Sequence, residues 1–368
     1  MRSTPAYTVT AAAPEPVRAS IQRRELRNDD VAIRVDYCGV CHSDLHALHS
    51  LDGPSALVLG HELVGTVTEL GSAVSRFAVG DAVAVGTIVD SCGECDLCTA
   101  GQENFCREFP TLAYGGTDRR DGSGTQGGWS REQVVRDRFV HRAPAGLDPA
   151  AVAPLLCAGI TVWEPLRSRG VGPGTRVAVV GLGGLGHLAV KLARALGADV
   201  TVVTGSAGKT EDALALGATD VVVSRDPEAM AAQRGRFDLV LDTISAPHDV
   251  APYLHVLALD GALSVLGALG PVTVEVLDLL IGRKSLTSGG SGGLRATQEL
   301  LDFCGEHGIT ADVEVLPSAE VSTALARLEA NDVRYRFVLD LADLDGADPD
   351  GADLDGADPD GADPDGTA

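Results

Sequence analysis

Short runs of alternating apolar and polar positions, separated by glycine-rich turns, run through the first 157 residues. Alternation with a period of two residues predicts β-strands that bury one face. The clearest runs cover residues 31–35, 64–69, 82–85 and 133–135. The pattern therefore predicts a β-rich unit built from many short strands.

From residue 175 the pattern changes to buried strands that alternate with helices. Apolar runs at 176–180, 200–204, 220–223, 239–242 and 263–266 recur at the spacing of a parallel sheet, and a helix is predicted at 187–196. A glycine cluster at 289–293 marks a further boundary, and helix and strand patterns continue to residue 340. The expected fold class is α/β, with a β-rich unit and a doubly wound parallel sheet.

Residues 342–368 repeat a five-residue unit, Ala-Asp-Leu-Asp-Gly or Ala-Asp-Pro-Asp-Gly. They contain ten aspartates and no basic residue, and they offer almost no apolar surface whose burial would offset the entropy of ordering. We therefore expect an acidic disordered tail. A calcium-responsive segment is the alternative, because Asp-x-Asp-Gly resembles part of a calcium loop, but the complete EF-hand loop with its final glutamate is absent.

The strongly negative net charge of the chain limits the kinds of molecule that it is expected to bind. The net charge is −23 at pH 7, and −13 remains when the ten aspartates of the tail are left out. Nucleic acid is disfavoured as a partner, because phosphate binding needs clusters of Lys and Arg. The first residues lack the apolar core of a signal peptide, and no run approaches the roughly 18 apolar residues of a membrane span. We expect a cytoplasmic protein without a membrane partner.

Four of the eight cysteines have the spacing of metal ligands: Cys92, Cys95, Cys98 and Cys106. Gaps of two residues let backbone turns point successive thiolates at one tetrahedral ion. The alternative is four unrelated thiols in a reducing compartment. Because four thiolates close the coordination shell, the spacing predicts a structural zinc site.

A second candidate set is dispersed along the chain and consists of Cys41, His61, Glu62 and Cys157. Two thiolates and an imidazole leave one position open for water or substrate, as in a catalytic zinc site, and Glu62 could complete the shell without substrate. Taken singly, these residues would be read as small buried side chains or surface acids. Cys38 lies three residues before Cys41, and the spacing alone does not choose between them.

The segment Gly181-Leu-Gly183-Gly184-Leu185-Gly186 follows a predicted strand and opens a predicted helix. This is the context of a dinucleotide-binding fingerprint, in which glycines let the pyrophosphate approach a helix N-terminus. An NAD enzyme should carry Asp or Glu at the end of the next strand. Thr204, Ser206 and Lys209 occur there instead, and their two hydroxyls and ammonium suit a 2′-phosphate. The segment therefore favours NADP(H).

These motifs together resemble the medium-chain zinc alcohol dehydrogenases. The resemblance rests on Cys-Gly-Val-Cys-His-Ser-Asp-Leu-His at 38–46, on Gly-His-Glu-x-x-Gly at 60–65 and on the four-cysteine segment. Segments 154–161, 181–187 and 331–337 are similar to the cinnamyl alcohol dehydrogenase branch. The match extends from about residue 31 to residue 340.

The resemblance implies a GroES-like catalytic domain formed by residues 1–157 and 294–341. A Rossmann domain of residues 158–293 would be inserted between these parts, with 342–368 as the tail, and the protein would be a homodimer. The resemblance also implies that Cys41, not Cys38, is the catalytic ligand. Ser43 matches the hydroxyl beside the zinc-bound oxygen, and His46 matches the residue that passes the proton to solvent.

For the cofactor, the resemblance implies that His42 contacts the pyrophosphate and that Thr161 lies beside the nicotinamide. Ser206 and Lys209 match 2′-phosphate contacts, whereas Gly205 replaces a serine that is usual in the branch. Leu51 and Tyr114 are candidates for the substrate pocket. The small residues at 289–293 suggest that this pocket is roomy.

The expected reaction interconverts primary alcohols and aldehydes, aromatic or of medium to long chain, by hydride transfer with NADP(H). Zinc would lower the pKa of the alcohol, and the proton would leave through Ser43 and His46. An NAD-dependent dehydrogenase of short aliphatic alcohols or polyols is the second interpretation. A non-catalytic nucleotide-binding relative is disfavoured, because such relatives typically lack the catalytic ligands.

Overall fold

The computed structural model describes residues 1–52, 55–267 and 270–346. The strands in these ranges are β1 (Arg2–Thr8), β2 (Val17–Arg23), β3 (Asp30–Val40), β4 (Leu63–Leu70), β5 (Ala82–Val85), β6 (Ile88–Asp90), β7 (Thr111–Leu112), β8 (Glu132–Arg136), β9 (His141–Arg142), β10 (Arg176–Val180), β11 (Asp199–Thr204), β12 (Asp220–Val223), β13 (Phe237–Asp242), β14 (Leu257–Val265), β15 (Ser285–Ser288), β16 (Val313–Pro317) and β17 (Arg336–Asp340). The α-helices are α1 (His42–His49), α2 (Asp96–Thr99), α3 (Pro149–Val152), α4 (Ala158–Ser168), α5 (Gly186–Ala195), α6 (Thr210–Ala215), α7 (Pro227–Ala231), α8 (Ala251–His255), α9 (Val276–Leu280), α10 (Leu294–His307) and α11 (Val321–Glu329).

A seven-stranded sheet forms the centre of the β-rich part. Its path is β16-β17-β3-β4-β5-β9, and β8 also pairs with β3. Strands β16 and β17 come from the C-terminal part of the chain, so this sheet is completed only after the chain has passed through the parallel sheet. In the β17–β3 pair Phe337 lies opposite Val40, which brings residue 336 close to the end of β3.

The second sheet is parallel throughout and has the order β12-β11-β10-β13-β14-β15. This is the strand order of a doubly wound dinucleotide-binding sheet. Strands covered on both faces need nearly continuous apolar runs, and 177–180 in β10 is fully buried. The predicted α/β fold class is confirmed. In such a sheet the ligand binds at the carboxyl ends of the strands, where the segments after β10, β11 and β12 lie together.

Two large apolar clusters support this arrangement. One includes Trp163, Leu188 and Leu300, which belong to α4, α5 and α10. The other lies in the β-rich part and includes Phe139 and Phe337. No single helix in the described ranges is long and apolar enough to cross a membrane, although the bent pair Pro149–Leu156 and Ala158–Ser168 passes by length and composition together.

The ordered chain continues past the boundary predicted at residue 341. Ala342–Asp345 forms a 3₁₀ turn in which Leu344 is buried. Arg131 pairs with Asp345 at 2.6 Å, and the Ser318 hydroxyl donates to Asp343 at 2.5 Å. The predicted start of the disordered tail at 342 is therefore wrong. In the first repeat the leucine side chain is buried and both aspartates have partners, which holds this segment against the β-rich part. Residues 347–368 of the predicted tail lie outside the described residues.

Candidate metal and cofactor sites

The first potential metal site brings together Cys41, His61, Glu62 and Cys157. Their ligand atoms lie within 4.8 Å of one another, and all four residues are buried. The two sulfur atoms are 3.8 Å apart, close to the separation of two thiolates that lie about 2.3 Å from one tetrahedral zinc ion. His61 Nε2 and Glu62 Oε2 have no hydrogen-bond partner in the described part of the chain. Since buried polar atoms are normally paired, these two atoms fit a metal ion between them.

Three separate segments of the chain supply these ligands. Cys41 follows β3 and is the N-cap residue of α1, and Cys157 is the N-cap residue of α4. His61 and Glu62 immediately precede β4, after Gly60 with its positive φ of 93°. A side chain at position 60 would also collide with Trp129, because a Cβ atom there would lie 2.5 Å from its ring. The site therefore depends on contacts between distant parts of the chain.

Asp44 orients both Cys41 and His61. Its buried carboxylate accepts hydrogen bonds from the backbone N–H of Cys41 at 2.8 Å and of Gly60 at 3.2 Å. It also lies 3.2 Å from His61 Nδ1. Burial lowers the pKa of His61, but the charge and hydrogen bond of Asp44 outweigh it and hold that pKa well above its usual value. With Nδ1 bonded to Asp44, Nε2 is the nitrogen left to bind a metal.

The two thiols of this group share a proton. The hydrogen bond with Cys157 holds the pKa of Cys41 well below its usual value, and the same bond together with burial raises the pKa of Cys157 well above it. The bond therefore favours a thiolate at Cys41 beside a thiol at Cys157. A metal ion bound by both sulfur atoms would displace the remaining proton.

Arg336 at the start of β17 balances the negative charge. It is buried and donates through Nη2 to Glu62 Oε1. Burial raises the pKa of Glu62 to about 7, and the charge of Arg336 opposes this shift. Gly39 gives the carboxylate room, because a Cβ atom at position 39 would lie 1.9 Å from Glu62 Oε2. Sequence reasoning assigned no role to Arg336 or Asp44, and neither has a distinctive spacing that would have indicated one.

Cys38 lies apart from this group. Its thiol is buried and donates to the carbonyl of Gly39 at 3.6 Å. Its pKa lies well above the usual value for a cysteine, chiefly because the thiol is buried. The geometry therefore groups Cys41, and not Cys38, with His61.

The second potential metal site lies in the segment that joins β6 to β7. The ligand atoms of its four cysteines lie within 4.8 Å of one another, and Cys92 Sγ and Cys98 Sγ are 3.8 Å apart. Backbone N–H groups point at the sulfur atoms, including Cys95 N–H to Cys92 at 3.4 Å and Cys98 N–H to Cys95 at 3.5 Å. Hydrogen bonds from the backbone N–H groups of Arg107 and Cys98 lower the pKa of Cys95 to about 6. Burial raises the pKa of Cys98 to about 12, so the backbone donors favour the thiolate at Cys95 first, and the four sulfur atoms together suit a closed tetrahedral site.

The glycines of the nucleotide fingerprint permit a left-handed backbone, close packing against neighbouring residues and an open face toward a ligand. Gly181 has a positive φ of 88°, and a Cβ atom at Gly186 would lie 2.2 Å from the Gly181 carbonyl oxygen. A Cβ atom at Gly184 would lie 2.8 Å from Arg336 Cδ, so this loop packs directly on the residue that pairs with Glu62. The position of a Cβ at Gly183 faces open space, where a pyrophosphate could approach.

The predicted phosphate-binding residues follow β11 at the same edge of the parallel sheet. Ser206 and Lys209 are exposed, and Lys209 Nζ donates to the carbonyl of Leu182 in the fingerprint at 2.9 Å. Thr204 is buried and its hydroxyl accepts from the Ser206 N–H at 3.4 Å. Ser206 and Lys209 are therefore accessible to a ligand, whereas the buried Thr204 hydroxyl stabilises the turn through its hydrogen bond.

Comparison with known proteins identifies the family. Residues 27–145 match the alcohol dehydrogenase GroES-like domain, and residues 184–306 match the zinc-binding dehydrogenase family. NADP-dependent alcohol dehydrogenase C 1 from Mycolicibacterium smegmatis is 46% identical over 94% of this chain and 99% of its own length. A solved structure of cinnamyl alcohol dehydrogenase from Sorghum bicolor has a TM-score of 0.89 and 41% identity, over 94% of this chain and 99% of that one. The chain belongs to the zinc-dependent medium-chain alcohol dehydrogenases, in the cinnamyl alcohol dehydrogenase branch.

A mannitol dehydrogenase from Petroselinum crispum is also similar to this alcohol dehydrogenase chain, with 49% identity over 87% of the chain and 96% of the relative. The predicted family and its architecture, a GroES-like part with a nucleotide-binding part, are thereby confirmed. Because relatives in this family carry different substrate names, identity alone does not select one alcohol.

The residues predicted for the proton path of this dehydrogenase lie on α1. His42 is its first residue and is half-buried, and burial lowers the pKa of its imidazole. Ser43 and His46 are exposed and lie three positions apart, which places them on neighbouring parts of one helix surface. The helix thus joins Cys41 of the potential metal site to two polar side chains that reach solvent.

The residues predicted for the substrate and nicotinamide come from three separate segments of the chain. The Tyr114 ring lies 5.6 Å from that of His61, and Leu51 is half-buried after α1. Thr161 Oγ1 donates to the carbonyl of Gly290 at 2.9 Å. The suggestion that residues 289–293 are small to make a roomy pocket is wrong for Gly292 and Gly293. These two are needed for packing, since their Cβ atoms would lie 2.6 Å from Ile160 and 1.9 Å from the Gly101 carbonyl oxygen.

Metal analysis of two cysteine variants tests the ligand set. We expect two zinc ions per wild-type chain, about one in Cys41→Ala and two in Cys38→Ala, since only Cys41 belongs to the buried ligand group. Plasma mass spectrometry of protein with a verified far-ultraviolet circular dichroism spectrum gives the ratio. Loss of one zinc ion from Cys38→Ala with retention in Cys41→Ala would reverse the assignment.

Proposed function

We propose that this protein interconverts primary alcohols and aldehydes, aromatic or of medium to long chain, with NADP(H) and a catalytic zinc ion. The buried ligand set with its two unpaired donor atoms, His61 Nε2 and Glu62 Oε2, carries the proposal. Cys41, His61 and Cys157 would hold the ion, and Glu62 would bind it when no substrate is present. The four-cysteine cluster would hold a second, structural zinc ion.

When bound, the catalytic zinc supplies Lewis acidity that lowers the pKa of an alcohol. Asp44 keeps His61 oriented for binding, and the Arg336 charge limits the cost of several anionic ligands in a buried site. Ser43 and His46 would move the alcohol proton outward to solvent. The predicted cytoplasmic location suits this chemistry, since all eight cysteines are free and thiolate ligands persist in a reducing compartment.

The cofactor assignment rests on the surface beyond β11. Residues 204–209 contain no carboxylate, so none there repels a 2′-phosphate. The exposed Ser206 hydroxyl and Lys209 ammonium supply a hydrogen-bond donor and a positive charge. His42 and the open side of Gly183 would receive the pyrophosphate, and Thr161 would lie at the nicotinamide. The name of the Mycolicibacterium relative, an NADP-dependent alcohol dehydrogenase, supports the same cofactor.

Cofactor consumption tests the proposed reaction directly. Zinc-replete protein should oxidise NADPH with cinnamaldehyde and long-chain aldehydes, and its kcat/KM should fall by about tenfold or more when NADH replaces NADPH, since a paired phosphate contributes a charge-assisted contact. Acetaldehyde, and mannitol with NADP or NAD, complete the panel. A preference for NADH with acetaldehyde or for mannitol would favour the second interpretation, and no rate with any pair would overturn the proposal.

A pH profile tests His46. His46→Ala should lower kcat by roughly 10- to 100-fold at pH 7 and much less at alkaline pH, where solvent hydroxide can take the proton. His49→Ala is the matched control, because His49 is exposed on the same helix and lies 3.7 Å from Glu329. Metal content and NADPH affinity should stay at the wild-type values in both. Equal profiles for the two variants would remove His46 from the proton path.

We also propose that two chains pair through the β15 edge of the parallel sheet. β15 hydrogen-bonds only to β14 among the described strands, so one side of it is open to a partner strand. The segment shortly before it in the chain, α9 and the residue that follows α9, exposes Val276, Leu277, Leu280 and Ile281 by 76%, 61%, 71% and 56%. An exposed apolar patch next to an open strand suits a self-complementary twofold interface.

Sedimentation velocity tests this pairing. Wild-type protein should sediment with twice the 37.9 kDa chain mass, and Leu277→Glu/Leu280→Glu should shift it towards the single chain, because buried unpaired carboxylates are costly. Leu214→Glu, at a position that is 49% exposed on α6, controls for added charge. A wild-type monomer, or a double variant that remains dimeric, would place the interface elsewhere or exclude it.

A further inference from the structure

Gly205 leaves an opening at the end of β11, and a guanidinium from the next strand lies beside it. Parallel pairing of β11 with β12 puts Thr204 opposite Val223, and the Ser224 N–H continues the ladder by donating to the Thr204 carbonyl at 2.8 Å. The next residue, Arg225, therefore leaves the sheet next to Gly205. Apart from the two residues that flank it in the chain, the described atom within 4 Å of a Cβ at position 205 would be Arg225 Nε, at 3.7 Å.

Among the described residues, no carboxylate forms an ion pair with the Arg225 guanidinium. The structure records no hydrogen bond or ion pair for its side chain within the described ranges, and the residue is exposed. The neighbouring Asp226 is the N-cap of α7, where its carboxylate accepts from the N–H groups of Glu228 and Ala229 at 3.0 and 3.1 Å. Across the turn, Asp212 pairs with Arg334. The charge of Arg225 is therefore available to a ligand.

Three groups of suitable chemistry lie on the turns that follow β11 and β12. Lys209 extends from the β11 turn toward the fingerprint, the Ser206 hydroxyl lies at the surface of the same turn, and Arg225 approaches from β12. Lysine presents a compact point charge, whereas arginine presents a planar fork that binds two phosphate oxygens at once. Two cations from adjacent strands would hold a dianionic group between them.

We infer that Arg225 is a specificity-determining residue that binds the 2′-phosphate of NADP(H) together with Lys209. The inference rests on the proposed cofactor site and adds a residue on a different strand to it. A Cβ atom at Gly205 would make only an ordinary van der Waals contact with Arg225 Nε, so the guanidinium lies directly against this turn. The positive charge of Arg225 thus replaces the hydroxyl that a serine at 205 would offer.

Direct cofactor binding to the full-length, zinc-replete protein tests the inference. Dissociation constants for NADPH and NADH are measured by nucleotide fluorescence in wild type, Arg225→Gln, Arg225→Lys, Lys209→Gln and Arg234→Gln. Arg234 is an exposed arginine just before β13, on the side of the parallel sheet where the strands begin, whereas the phosphate site lies where they end, so its variant removes a charge away from the site.

Arg225→Gln should weaken NADPH binding by about tenfold or more, leave the NADH dissociation constant within about twofold, and flatten the salt dependence of NADPH binding, because an exposed charge–phosphate contact is screened by salt. Arg225→Lys should recover part of the affinity, and Arg234→Gln should match wild type.

Unchanged NADPH binding in Arg225→Gln, with a selective loss in Lys209→Gln, would overturn the role of Arg225 and leave the proposed cofactor site standing. Equal losses for NADPH and NADH would also overturn it. If neither Arg225→Gln nor Lys209→Gln alters the preference, the proposed phosphate site itself fails.

Discussion

Burial of several charged groups in one small volume is the constraint on which the rest of this structure depends. Asp44, His61, Glu62 and Arg336 are all buried beside two cysteines. An isolated buried charge costs several kcal/mol in a protein interior, so each of these groups needs a partner of opposite charge or a metal ion. Asp44 faces His61 and Arg336 faces Glu62, which leaves the sulfur atoms, one imidazole nitrogen and one carboxylate oxygen directed at a common point.

The fold meets this constraint by bringing together strands that are far apart in sequence. Arg336 begins β17, which pairs with β3, and this pairing requires the chain to return from the parallel sheet. The same side chain lies under Gly184 of the nucleotide fingerprint. Arg336 therefore contacts both the glycine fingerprint and Glu62 of the potential metal site. Glycines at 39 and 184 permit these approaches, because any larger residue would meet Glu62 or Arg336.

The sequence predicted best those features that depend on local spacing. Four cysteines within one segment and a glycine fingerprint between a strand and a helix each indicate their chemistry directly, and the strand periodicities indicate the α/β class. Asp44 and Arg336 could not be predicted, because burial of an acid or an arginine depends on which strands meet and leaves no periodic signal.

The glycines at 292 and 293 illustrate a related ambiguity of sequence. Absence of a side chain can indicate an open pocket or a close packing contact, and only the neighbouring Ile160 and Gly101 distinguish these. The tail boundary was misplaced because repeat composition does not show that Leu344 finds a pocket.

The two metal clusters differ in how much of the chain must be gathered to form them. Cys92 and Cys106 are 14 positions apart, and β6 and β7 close the segment that carries them. Cys41 and Cys157 are separated by 116 positions. Loop-closure entropy grows with the logarithm of length, so bringing the second pair together from an open chain costs about 2 kcal/mol more. The local cluster can thus capture its ion while most of the polypeptide is still unfolded, whereas the dispersed one becomes a metal site only when the surrounding sheet is assembled. Occupancy of the dispersed site would consequently require that β3, β4 and α4 are already packed together, whereas occupancy of the local one would not.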